Sequence, residues 1–496
     1  MPPASVGREQ SPVVPTEPPF SIFDNRQKWL IVTMVSTAAT FSGFASNIYF
    51  PALPTIAKDL NVSLELVNLT VTSYLIFQGL APSLWGPVSD VKGRRVAYTC
   101  TFLVFFGACI GLAETKNYAT LIILRCLQST GSASTIAIGS GVIGDITTRE
   151  ERGGYMGIFQ AGLLVPVAVG PIIGGAMAGT LGWRSIFWLL AIYGGVFLVL
   201  MLLILPETLR SLVANGSQIQ PTRNPLVKYP LVVYQKTTQV QWDPSVVIPP
   251  AAKKHIDVLG PIRILFSKHS TPIILFLAIY YAVWQMSITA MSSLFTDKYN
   301  LSEIQNGLTF IANGVGSMVG TLITGKILDA DYRKVKAEYE SLSDAEGEAQ
   351  GEADFPIEKA RLRLVPIFAG AQCLSLILFG WTIQYQVHIA VPIISTFITG
   401  WTVVSMQSII MTYLVDIFHE RSAAASASIN LARCMFAAGG TSFVMPMISG
   451  VGAGLTFTIC AAVQFVALVG PFIQWRFAAR WRQATEAKKR TVGVSE

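Results

Sequence analysis

Apolar stretches of about 20 residues, the length at which a helix crosses a hydrocarbon layer about 30 Å thick, recur along nearly the whole chain. Inside a bilayer a helix satisfies its own backbone groups, so such a chain is expected to fold as an all-α membrane protein. Spans are read at 29–51, 67–89, 96–113, 119–144, 153–179 and 184–205, and after a long polar gap at 271–296, 305–328, 363–385, 387–415, 422–446 and 449–475. Composition agrees, because 52% of the residues are apolar and 13% charged, against roughly a quarter charged in a soluble domain.

If the chain starts in the cytosol and alternates sides, the outer loops hold only Lys58, Lys116, Arg184 and Lys298, and the spans hold Arg125 and Arg433. The other thirty of the 36 Lys and Arg residues then fall on the cytosolic side, which is the bias that orients membrane proteins. Both termini are expected in the cytosol, in a multi-pass protein of the plasma membrane. No cleavable signal peptide is expected, since the opening stretch is Pro-rich and polar through Phe20. The same charge distribution accounts for the net +7 without a nucleic-acid partner. Arg476, Arg480 and Arg482 read as anchors at the membrane surface. The six cysteines all fall inside spans, with neither paired spacing nor neighbouring histidines, and read as small packing residues rather than a disulfide or metal framework.

Five parts follow: a tail over 1–28, a six-helix bundle over 29–206, a linker over 207–269, a second bundle over 270–476 and a tail over 477–496. The linker is rich in Pro and Lys, and a second hydrophilic break over 330–361 is acidic through AEYESLSDAEGEAQGEAD. Neither has the apolar periodicity of a buried core, so both read as linkers and no catalytic domain is expected. Two bundles of six spans suit a carrier whose halves rock about a site near the membrane middle.

Between spans 2 and 3 the chain reads Gly86-Pro-Val-Ser-Asp90-Val-Lys-Gly93-Arg94-Arg95. This resembles the GxxxDxxGRR loop of the major facilitator superfamily. Gly86 permits close helix approach and Gly93 a tight turn, and Asp90 is expected to pair with basic groups across the interface between the halves, holding the cytosolic side closed. In span 4, Arg125-Cys-Leu-Gln128-Ser-Thr-Gly131 resembles the family's RxxQGxG segment with the glycine displaced, and in relatives this arginine is tied to proton coupling. A cation that deep in a span costs a few kcal/mol and is seldom present without a partner or a role.

Span 5 carries Gly162, Pro166, Gly170, Pro171, Gly174 and Gly175 in a pattern similar to the GxxxxxxxGPxxGG signature of antiporter branches. The prolines remove backbone donors and bend the helix, and the glycines let a neighbour approach, which gives a seal against proton leak. Pro206-Glu207-Thr208 after span 6, Asn47-Ile-Tyr49-Phe50-Pro51 after span 1 and Tyr413-Leu-Val-Asp416 after span 10 resemble the fungal twelve-span drug:proton antiporters. The resemblance covers residues 29–476 and implies the major facilitator fold, twelve transmembrane helices in two six-helix bundles. In the second half the corresponding loop, Gly325-Lys326-Ile-Leu-Asp329-Ala-Asp331-Tyr-Arg333-Lys334, keeps charges but lacks the GRR, which makes its gating role less certain than that of the first loop.

Polar residues at mid-span mark the expected substrate pathway: Tyr281, Trp284 and Gln285 in span 7, Asn313 in span 8, Trp401 and Gln407 in span 10, and Asn430 and Arg433 in span 11. Asn430 and Arg433 are three residues apart and share a helix face. With Arg125 they make the pathway positive, which suits an anionic substrate, unless a buried partner neutralises either arginine. No carboxylate lies at mid-span. Asp145 and Asp416, at span ends, are candidates for proton exchange or for pairs between bundles.

The leading functional expectation is proton-coupled efflux of a xenobiotic, a secondary metabolite or an organic acid by a monomer, with no cofactor. Neither cytosolic loop contains a GxxxxGK[ST] nucleotide loop, so the proton gradient is the expected energy source. Proton-coupled uptake of a nutrient and a non-transporting sensor are the alternatives. Glycosylation is expected at outward-facing sequons on Asn61 and Asn300, with Asn68 close to the membrane, and not at Asn215 in the cytosolic linker.

Overall fold

The computed structural model describes residues 19–217, 225–238, 259–268, 270–346, 357–418 and 422–493. It is helical throughout. The spans of the first half are Asn25–Asn47, Leu64–Lys92, Arg94–Ala113, Tyr118–Ile146, Arg149–Leu181 and Arg184–Ile204. Those of the second are Thr271–Tyr299, Glu303–Glu346, Val365–Gln384, Ala390–Ile417, Ser422–Val451 and Ala453–Ala467, the last followed by Val469–Gly493. Among the described residues eleven helices are long and apolar enough to cross a membrane. Span 5 is a 33-residue helix, of which the apolar stretch Val165–Leu181 is the shorter outer part.

Local chemistry sets the boundaries. Ser63 starts span 2 by accepting a hydrogen bond from the Leu66 N–H, and Asn117 and Thr148 do the same for spans 4 and 5. Span 2 ends at Gly93, whose φ of +110° is costly for a residue with a Cβ.

Within the first half, span 1 packs on spans 4 and 5, span 2 on span 4, and span 3 on spans 4 and 6. The second half repeats the scheme: span 7 packs on 10 and 11, span 8 on 10, and span 9 on 10 and 12. The halves meet where span 5 crosses span 8 and span 2 crosses span 11. Large apolar side chains such as Leu84, Ile192, Leu374 and Phe465 face outward, as expected when lipid is the solvent.

Two hydrophilic segments have more structure than their composition implies. Span 8 continues as one helix to Glu346, through most of the acidic stretch taken above as a linker. Ala, Glu, Lys and Tyr with no Gly or Pro between Ala330 and Glu346 propagate a helix already nucleated in the membrane. The linker over 207–269 contains short helices at Arg210–Val213, Pro225–Lys228, Leu231–Thr238 and Gly260–Leu265.

Candidate functional site

Seven of the eight expected pathway residues form one polar network in the second half. Arg433 Nε and Nη2 donate to Asn430 Oδ1 at 3.1 and 2.8 Å, and Nη1 donates to Gln407 Oε1 at 3.1 Å. The guanidinium carbon lies 4.8 Å from the centre of the Tyr281 ring. Gln285 donates to the Tyr281 hydroxyl, and the Trp284 indole, beside Tyr281, donates to Asn313 Oδ1 at 2.9 Å. Asn430 Nδ2 reaches the Gln78 carbonyl at 3.1 Å, so the network touches the first half. Trp401 stands apart: it packs against Gly320 and Phe397, and its buried indole N–H has no partner. Every group seen to hold Arg433 is neutral, so its charge is oriented but not cancelled.

Arg125 is 1% exposed. Its Nη1 donates to the Ala45 carbonyl at 3.0 Å and to Gln128 Oε1 at 2.5 Å. The guanidinium lies between the Tyr49 and Tyr74 rings, 4.2 and 4.3 Å from their centres. Two aromatic faces offset part of the desolvation cost of a cation, while the buried Nε has no hydrogen-bond partner. Among the described residues no carboxylate pairs with Arg125 or Arg433.

The loop after span 2 is closed on itself, against the ends of spans 4 and 6. Arg94 pairs with Asp90 at 2.6 Å and with Asp145 at 2.9 Å. All three belong to the first half, so in this conformation Asp90 pairs within its own half. Four residues separate Asp90 from Arg94, and the turn at Gly93 brings the arginine back over its own half. Arg95 donates to the Leu202, Leu226 and Tyr229 carbonyls, tying the linker to the end of span 6. Glu207, fully buried, accepts backbone N–H groups from Arg94, Arg95, Thr208 and Leu209. Burial pushes its carboxyl above the usual range, and the four N–H donors pull against that shift. A Cβ on Gly93 would lie 2.5 Å from Glu207 Oε2, so this position needs glycine for space as well as for φ. Gly86 has no neighbour within 4 Å of an added Cβ, so close approach is not its role in this conformation.

The span 5 glycines work at two surfaces. Gly162, Gly170 and Gly174 face span 1 and the residues after it, with an added Cβ on Gly174 only 2.0 Å from the Ile48 carbonyl. Gly175 faces the other half, where its Cβ would lie 2.4 Å from the Glu303 carbonyl. Gly307 answers from span 8, where an added Cβ would lie 2.5 Å from the Pro171 carbonyl, and Pro166 packs on Gly43. Between the halves, the hydrogen bonds seen among the described residues join Thr55 to Glu303, Ser292 to Phe50, Thr72 to Thr441 and Ser442, and Asn430 to Gln78. All lie between the level of Gln78 and the end that carries Phe50 and Thr55, so among the described residues the halves are hydrogen-bonded at that end and not at the other.

The family model described as Major Facilitator Superfamily matches residues 35–441. The chain belongs to this superfamily. It is a multi-pass membrane transporter and not an enzyme. It is 38% identical over 484 residues to "Citrate exporter 1" of Aspergillus niger, covering 95% of this chain and 90% of that protein. It is 35% identical over 449 residues to "MFS antiporter QDR2" of Candida albicans, covering 90% and 88%, and 35% identical over 479 residues to "MFS-type transporter tstD" of Talaromyces stipitatus, covering 95% and 85%. Among solved structures, the xylose transporter XylE from E. coli in a partially occluded inward open conformation aligns with a TM-score of 0.63 at 15% identity, covering 91% of this chain and 98% of that one. That likeness supports the major facilitator fold.

Several residues of this major facilitator site escaped the sequence reading. Asp416, a candidate for proton exchange or for a pair between bundles, pairs with Arg361 at 2.9 Å within the second half, and Asp331 pairs with Arg363 at 3.2 Å. The arginine missing from the second-half loop is thus supplied from beyond the acidic stretch; the Asp329 side chain lies outside the described residues. Tyr49 and Tyr74 gave no signal because aromatic residues in spans are usually packing. Asn68 is 1% exposed inside span 2. Asn61 and Asn300 are exposed, with φ of +51° at both.

Proposed function

We propose that this protein exports a small organic anion from the cytosol, driven by protons moving inward. The observation that carries the reading is Arg433: a partly exposed guanidinium held by Asn430, Gln407 and Tyr281, all neutral, on the face where the halves meet. A substrate carboxylate supplies the counter-charge that the protein does not, and a guanidinium fork matches a carboxylate in shape as well as charge. Trp284, Gln285 and Asn313 extend the same wall with one apolar surface and further polar groups, the composition of a small-molecule site. Arg125 adds positive potential from the first half.

With the outer side sealed, this conformation loads from the cytosol. Binding an anion beside Arg433 draws the halves together, and release follows when the span 5 to span 8 contact opens. The names of two relatives, a citrate exporter and an antiporter, support outward carriage of an organic anion by exchange. The plasma membrane is the proposed location, with both termini cytosolic, and the monomer is the proposed unit of transport.

The test uses inside-out vesicles with an imposed pH gradient and labelled citrate as the first probe, followed by mono- and dicarboxylates. Accumulation that collapses on adding a protonophore, and that falls at least tenfold in Arg433→Gln, is expected. Accumulation indifferent to the gradient makes the protein a facilitator, and full activity of Arg433→Gln removes the anion site.

A further inference from the structure

On the cytosolic side of the first half, away from the transport pathway, a cavity of about 320 Å³ lies between the start of span 1, the end of span 6 and the linker. Its walls are Leu30, Leu203, Ile204, Pro230 and Val233, with Gln27 and Thr237 at the polar end. Side-chain contacts hold the walls together. The Tyr234 hydroxyl donates to the Ile204 carbonyl at 2.9 Å, and Phe23 packs edge-on against Tyr234. Arg95 holds Leu226 and Tyr229 of the linker together with Leu202 of span 6.

Two observations identify the occupant. The first is depth. Span 1 begins at Asn25 and span 6 ends at Ile204, so the cavity sits where the cytosolic leaflet passes from acyl chains to headgroups. Around it Trp29, Leu30, Leu203, Tyr229, Val232 and Val233 are 39 to 53% exposed, a set that includes the aromatic residues typical of that boundary. The second is charge. Arg26 adjoins Gln27, Lys228 adjoins Tyr229, and Lys236 follows Val233 by three residues on the same face of the helix Leu231–Thr238. All three are exposed, and residues 25–30 and 225–238 contain no acid. Asp24, at the start of span 1, is the nearest acid in sequence, and Lys28 is engaged elsewhere with Glu151 at 2.7 Å.

We infer that this cavity binds one anionic phospholipid of the cytosolic leaflet, with an acyl chain against Leu30, Leu203 and Val233 and the headgroup among Arg26, Lys228 and Lys236. An apolar slot with basic residues at its rim matches both parts of such a lipid, and neither part alone. Arg95 connects this wall to the gating loop, because its guanidinium grips the linker while its backbone N–H is held by Glu207 beside Arg94. Lipid bound here stabilises the linker in the position that Arg95 requires.

The full-length protein in detergent is incubated with phosphatidylserine or phosphatidylcholine of identical chains, and retained lipid is counted by native mass spectrometry. One phosphatidylserine per chain is expected, preferred roughly tenfold over phosphatidylcholine, and Lys228→Gln/Lys236→Gln loses that preference. Val233→Trp fills the slot and lowers retention of either lipid, whereas Arg480→Gln in the basic tail changes neither. Equal retention of the two lipids, or an unchanged preference in the double variant, overturns the proposal. Displacement of the lipid by millimolar inorganic phosphate also overturns it, because the site then recognises an anion and not a lipid.

Discussion

Arg361 Nε donates to Asp416 Oδ2 at 2.9 Å, the same bond at the same length that joins Arg94 Nε to Asp145 Oδ2 in the other half. In each half the arginine lies at or just before the start of an odd-numbered span, 3 or 9, and the acid lies at the end of the span after it, 4 or 10. The two clusters occupy equivalent places because the halves repeat one packing scheme. Both pairs are largely removed from water, with arginine side chains 10 and 11% exposed. Asp145→Asn and Asp416→Asn are each expected to cost about 2 kcal/mol, the loss of a charge-assisted hydrogen bond to a buried cation. Thermal unfolding of the purified variants measures it, and unchanged midpoints in both refute a structural role for the pairs.

Arg125→Lys keeps the charge but loses the flat fork that lies between Tyr49 and Tyr74 and reaches Ala45 and Gln128. Export by Arg125→Lys and by Arg125→Ala is expected to fall roughly tenfold or more at equal membrane abundance, equivalent to about 1.4 kcal/mol. Near-normal, gradient-driven export by Arg125→Ala refutes the requirement.

An alanine at Gly175 places its Cβ 2.4 Å from the Glu303 carbonyl, where backbone must move. Gly175→Ala is therefore expected to wedge spans 5 and 8 apart and to favour outward-open molecules. A cysteine at Ser293, 1% exposed in the closed outer half, reports it. Labelling by an impermeant maleimide added outside is expected to rise several-fold in Gly175→Ala, and no change means the glycine contact is not the seal.

Glu207→Gln replaces an acceptor oxygen with an NH₂ group against backbone N–H donors. A loss of about 1 to 3 kcal/mol is expected from the unpaired buried groups. Because the same N–H groups belong to Arg94 and Arg95, the variant is also expected to increase protease cleavage in the linker, and intact digestion kinetics contradict the anchoring role.

The sequons separate by burial. Asn61→Gln and Asn300→Gln are expected each to remove one glycan, seen as a step in gel mobility, while Asn68→Gln is expected to leave mobility unchanged. A mobility step on Asn68→Gln refutes that expectation.

By itself the sequence determined the class and the approximate spans, because apolar length is a local property that the bilayer reads directly. It also determined which residue types are expensive in a membrane, and so pointed to Arg125, Arg433, Asn430 and Gln407. What those residues touch was decided by tertiary structure. Asp90 and Arg94 close within one half, because the turn at Gly93 sets their direction. Arg361 replaces the missing arginine of the second loop from beyond the acidic stretch, a distance no motif spans. Tyr49 and Tyr74 become the partners of Arg125 because spans 1, 2 and 4 converge there. Asn68 is buried by the packing of span 2. Spacing along a chain specifies a face, whereas a partner on another helix is specified by how the helices cross.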